Sequence, residues 1–139
     1  MNQRQYSAQL LEHFDNSRHV GTFDLQDPSV YTGQVETNTQ DEVIQFQLKV
    51  DNRGIIKDIA WQALGNPVII ASCSLFSELV LNKSLDEAQQ LTADELAEKL
   101  AVPAIRWNSV LLVEEALQKA IQAVGEFHVR RASRYKSAG

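Results

Sequence analysis

A chain of 139 residues, 44% hydrophobic and 22% charged, has the size and composition of one folded domain built around one core. Its net charge of −5 excludes the general nucleic-acid binders, which neutralise phosphates with Lys and Arg, and no apolar run approaches the ~20 residues that cross a bilayer. The single cysteine, Cys73, excludes an internal disulfide and any cysteine-ligated metal centre or CxxC redox pair within one chain.

The first segment places Tyr6, Leu10 and Phe14 at i, i+4 and i+8 with Leu11 beside them, which predicts a short amphipathic helix ending near Asn16. The start, MNQRQYSAQLLEHF, lacks the basic and apolar blocks of a secretory signal, so a cytoplasmic protein is expected. Residues 15–33, rich in Asp, Asn, Ser and Gly, read as a long loop. Val30 to Thr37 is expected to supply one strand.

From Glu42 to Val50 the period changes to two: Ile44, Phe46, Leu48 and Val50 share one face, and Gln45, Gln47 and Lys49 the other. Asp51-Asn52-Arg53-Gly54 makes the turn, and the returning strand alternates Ile55, Lys57, Ile59, Trp61 and Ala63 with Ile56, Asp58, Ala60 and Gln62. Asn66-Pro67 is an N-cap followed by a first-turn proline, and Val68, Ile69, Ser72, Leu75, Phe76 and Leu79 predict a well-buried helix to about Leu81. Ser84-Leu85-Asp86-Glu87 and Thr92-Ala93-Asp94-Glu95 each announce a short helix with a capping box. A last helix beginning near Ser109 carries Leu112, Val113, Ala116, Leu117, Ala120, Ile121 and Val124 on one face.

The fold class is therefore α+β: a small three-stranded antiparallel sheet with helices packed on one face, a single domain over residues 1–127. Residues 128–139 read as a short, flexible basic tail. No acid follows Glu126, while Arg130, Arg131, Arg134 and Lys136 fall among the last ten residues. The tail is either a solvated terminus or a docking site for an acidic partner. The histidines His13, His19 and His128 are scattered without ligand spacing. No GxGxxG, Walker or GxSxG motif occurs, so no enzyme is expected.

Several local matches are more specific than the element order. They are Tyr6 with His13-Phe14, then Asn16, Arg18 and Val20-Gly21. Gly33 and Val35 follow, then Leu48-Lys49-Val50 with Gly54-Ile55-Ile56, Ile70-Ala71-Ser72, and Lys83-Ser84-Leu85-Asp86-Glu87-Ala88. On these residues the sequence resembles the iron–sulfur cluster scaffolds of the IscU and NifU N-terminal type from residue 5 to about 125. The resemblance implies cluster assembly as the setting, with an iron–sulfur cluster, iron or zinc held by three cysteines and an aspartate at one end of the sheet. It also implies a cysteine desulfurase or another assembly protein as partner, and leaves the oligomeric state open.

At those positions this chain departs from the family pattern. Gln40 stands at the first cysteine, Glu42 at the aspartate, Asn66 at the second cysteine, and Trp107-Asn108 at the histidine–cysteine pair. Thiolates both hold cluster iron and accept sulfur, whereas amides are poor iron ligands and are not nucleophilic. Glu42 is the one residue there able to coordinate. No cofactor and no catalytic residue is expected. The chaperone-docking segment is altered as well, with Ala101-Val102-Pro103-Ala104-Ile105 keeping one proline.

Two uses of the altered site remain open. In the first, the chain is a binding or regulatory relative that carries no cluster, with His13, Arg18 and Val20 as partner contacts. In the second, Gln40, Glu42, Asn66 and Asn108, helped by Asp41, hold a small polar ligand or a hard cation. Against the second stands the reading of these loops as polar surface with Asn66 and Asn108 as helix caps. Trp107 either packs over the vacated site or serves as an exposed anchor. Cys73 reads as a small buried hydrophobe rather than a relocated sulfur acceptor.

Overall fold

A computed structural model describes residues 6–138, with side chains described through Gly125. Helix α1 (Ala8–Asp15) leads by a long loop to strands β1 (Val30–Glu36), β2 (Val43–Val50) and β3 (Ile56–Leu64). Helices α2 (Pro67–Val80), α3 (Leu85–Gln89) and α4 (Ala93–Lys99) follow, then a 3₁₀ turn (Ala104–Arg106) and α5 (Trp107–Ala138). The strands form an antiparallel meander in the order β1-β2-β3. The segment expected as a basic tail is backbone-helical to Ala138, as the distal part of α5; its basic side chains lie outside the described ones.

One face of the sheet carries Ile44, Phe46, Leu48, Ile59 and Trp61, all at most 2% exposed, against α2 and α5. Burying each such side chain contributes about 1.5–3 kcal/mol. Helix α5 lies unusually close to β1, and Gly33 is what permits it. A Cβ there would come within 2.5 Å of the Ala116 carbonyl oxygen and 2.8 Å of Ala120 Cα.

The facing expected along β3 holds from Ile59 to Ala63, although Ala60, expected on the polar face and paired with Gln47, is only 5% exposed, and the parity changes near the turn. A register shift between Lys49 and Val50 sets Val50 opposite Ile56, so Ile56 is fully buried. Such a bulge adds a residue to one strand and reverses which neighbours face the core. Gln47, expected on the solvent face, is 1% exposed because the loop after α1 crosses behind the sheet. The Phe23 amide donates to Gln47 Oε1 at 2.7 Å, and Lys49 Nζ lies 4.5 Å from the Phe23 ring centroid.

The short helices carry the expected caps. Ser84 and Glu87 form a complete capping box on α3, with both bonds at 3.1 Å. On α4 one half is present: Thr92 Oγ1 accepts the Glu95 amide at 3.3 Å. Glu114 of α5 accepts the Ala93 amide, placing a carboxylate at the positive end of α4.

Candidate functional site at one end of the sheet

The β1–β2 connection, the start of α2 and the start of α5 gather at the same end of the sheet. Thr37 closes the connection: its amide donates to the Glu42 carbonyl at 3.0 Å, its carbonyl accepts the Gln40 amide at 2.8 Å, and its hydroxyl accepts the Glu42 amide at 3.3 Å. Gln40 sits at the tip with φ of 59°, a left-handed conformation that a side chain makes costly, and it is exposed. Because Val43 pairs with Leu64, Glu42 and Gly65 extend neighbouring strands, which brings the connection alongside Asn66.

Both ends of the Asn66 side chain are engaged. Its Oδ1 accepts the Val68 and Ile69 amides at 2.9 and 3.2 Å, capping α2 as expected, and its Nδ2 donates to Ser109 Oγ at 3.1 Å. Asn108 does not act as a cap, contrary to expectation. Helix α5 begins at Trp107, two residues earlier than the Ser109 start, so Asn108 lies inside the first turn and is exposed. The preceding 3₁₀ turn supplies the helical entry that a cap would otherwise provide. No hydrogen bond joins Gln40, Glu42 or Asn108 to Asn66 among the described residues. Nor do the described residues contain a group of three His, Cys, Asp or Glu side chains able to hold a metal ion.

Trp107 is 37% exposed, and its indole nitrogen donates to the Val102 carbonyl at 2.9 Å. The ring is pinned to the segment that precedes it. Cys73 is fully buried in α2, and burial pushes its thiol well above the ordinary range, which removes the thiolate that sulfur transfer needs.

The N-terminal residues proposed as contacts divide. His13 is buried: its Nδ1 lies 2.8 Å from Ser74 Oγ and 3.3 Å from the Arg18 guanidinium. Arginine only donates, so Nδ1 accepts, and the neutral ring carries its proton on Nε2. Burial first, and then the Arg18 charge, hold His13 below the usual imidazole range. Arg18 clamps the loop, with two 2.7 Å bonds to Glu12 and a 3.3 Å contact to Glu78. Its carbonyl accepts the Trp61 indole at 2.6 Å. Val20, by contrast, is 59% exposed and pairs with the edge of β3.

Beside Val20 lies a feature not singled out in the sequence, a groove of about 590 Å³. Gln34, Gln45 and Gln62 stand in cross-strand register on its outer side, with Leu64 and Ile70 among its apolar walls. The period-two pattern of β2 and β3 placed Gln45 and Gln62 on the polar face, but their row with Gln34 needs the strand register.

An antiparallel three-stranded meander backed by α2 and α5, with loops and helix starts converging at one end, defines a small α+β domain. Residues 5–132 match the NifU-like N-terminal domain, and this chain belongs to that family. It is 39% identical over 116 residues to the iron–sulfur cluster assembly scaffold protein IscU of Haemophilus influenzae, covering 84% of this chain and 92% of that one. Identity to the IscU of Escherichia coli K12 is also 39%, covering 84% and 91%. Among solved structures, the N-terminal NifU-like protein of Brucella abortus superposes with a TM-score of 0.67 at 20% identity, covering 86% of this chain and 94% of that one. A putative scaffold protein for the SUF system from Fervidobacterium islandicum gives 0.67 at 15% identity, covering 87% and 99%. These two show the shared fold.

Proposed function

We propose that this chain is a binding or regulatory relative of the IscU-type scaffolds that carries no cluster, rather than an enzyme, and that it docks on cluster-assembly machinery such as a cysteine desulfurase. The engagement of Asn66 carries this reading. At a position where the family presents a thiolate, both ends of this side chain are committed to α2 and Ser109. Gln40 offers an exposed neutral amide, Asn108 another, and Glu42 a single carboxylate, which is too little charge to hold iron against water. The buried Cys73 thiol cannot replace the missing nucleophile.

The hard-cation reading is weaker for the same reason: Oδ1 of Asn66 points at two amides, and the remaining site has Glu42 with the exposed Asp41. The N-terminal contacts also take distinct roles here. His13 and Arg18 shape the loop, and Val20 is the part of it offered outward.

Anaerobic incubation with iron, sulfide and a cysteine desulfurase, followed by metal and acid-labile sulfide analysis and a sizing column, tests the proposal. The expected result is no bound cluster and co-elution with the desulfurase. A stoichiometric cluster on the monomer would overturn it, and so would the lack of any complex.

A further inference from the structure

We propose that the outer edge of β3 binds an extended, uncharged peptide segment of a partner protein, which continues the sheet beyond the point where the chain's own residues 19–21 stop.

Backbone geometry carries the argument. The Trp61 amide donates to the His19 carbonyl at 3.1 Å, and the Trp61 carbonyl accepts the Gly21 amide at 2.9 Å. Both Trp61 groups therefore point away from β2, and with no register shift from Asp58 to Leu64 the same holds two residues away on either side. Toward the turn, the Ile59 amide is satisfied by Asp58 Oδ1 at 2.9 Å. Toward α2, the Ala63 amide and carbonyl face outward and no further segment of the described chain pairs with them. The outward amide of Ile59 is thus satisfied by a side chain, both outward groups of Trp61 by a strand segment, and neither outward group of Ala63 by the described chain.

The ≈ 590 Å³ groove lies around that open position, within the range of sites that enclose a ligand. Ala63 and its neighbours Gln62 and Leu64 line it, together with Val20 and Ile70. Among the described residues no charged side chain lines it, in a chain that is 22% charged. Glu36, opposite Val43 in register, is not among the lining residues. A bound ion would find no counter-charge. A neutral strand would find a backbone donor and acceptor at Ala63, apolar contacts on alternate side chains from Val20, Leu64 and Ile70, and amides from Gln45 and Gln62. That combination is the chemistry of strand addition. Residues 19–21 show that this edge already accepts an added segment.

Panning the full-length chain against a displayed library of random heptapeptides tests the inference, with enriched peptides then capped at both ends and titrated by fluorescence anisotropy. The enriched set is expected to alternate apolar residues and to lack Asp, Glu, Lys and Arg. Hydrogen exchange at the Ala63 amide is expected to slow in the complex. Ala63→Pro removes only an outward donor, a change that edge strands tolerate, and should weaken binding about tenfold, as expected for loss of a backbone hydrogen bond in the complex. Leu64→Asp, at a side chain that is 61% exposed and so safe for folding, should weaken it at least as much. No enrichment, a charged consensus, or undiminished binding to both variants would overturn the inference. The desulfurase contact is read separately on the sizing column, so failure of one leaves the other standing.

Discussion

Asn66 and Ser109 tie the start of α2 to the start of α5 through a 3.1 Å hydrogen bond, while the carbonyl end of the same Asn66 side chain caps α2. Asn66→Ala removes both, and losing a cap of this kind costs about 1–2 kcal/mol. Urea unfolding should show that loss with an unchanged slope. Asn66→Asp, which keeps the cap and can accept from Ser109, should stay close to the parent. A variant Asn66→Ala as stable as the parent would remove the bond from the list of features holding this end together.

Gly33 tests how closely α5 can approach the sheet. A Cβ there meets main-chain atoms of Ala116 and Ala120 rather than a flexible side-chain tip. Gly33→Ala should therefore cost about 3 kcal/mol, at the upper end of overpacking penalties, because the helix itself must shift. Thermal unfolding followed by circular dichroism gives the measurement. A shift of a degree or less would mean that α5 slides freely on β1.

His13 should make stability depend on pH in a definite direction. Its pKa in the folded chain lies below the ordinary value of 6.5. The unfolded state thus takes up its proton first, and the stabilising contribution is complete above pH 6.5 and lost as pH falls through the lower folded value. Protonation would also set an imidazolium beside Arg18, although Glu12 and Glu78 offset part of that repulsion. The free energy of unfolding should fall from pH 6.5 downward, ahead of the window in which carboxylates titrate. His13→Gln should flatten that part of the curve. Parallel curves for parent and variant would rule out His13 as the source.

Cys73 should be chemically silent in the native state. With the thiol buried in α2 and its pKa pushed up, modification by an aromatic disulfide reagent requires opening of the helix. The labelling rate should therefore rise with urea in step with unfolding. Rapid stoichiometric labelling of the folded chain would instead expose a usable thiol and reopen a role in sulfur transfer.

Much of the fold was legible because its signals are local. The alternation of Ile44, Phe46 and Leu48, the Asn66-Pro67 helix start and the Ser84–Glu87 capping box each need only a few neighbouring residues to specify their geometry. That Cys73 is the chain's single cysteine was likewise plain in the sequence. What the tertiary structure decided depends on chain segments distant in sequence. The loop from α1 crosses behind the sheet and buries Gln47, a polar residue in a polar register position. The bulge near Val50 turns Ile56 inward. The 3₁₀ turn starts α5 at Trp107 and deprives Asn108 of a capping role. The open edge at Ala63 belongs with these, since whether a strand's outward amides are filled depends on where residues 19–21 happen to stop, and periodicity along one strand carries no information about its neighbour.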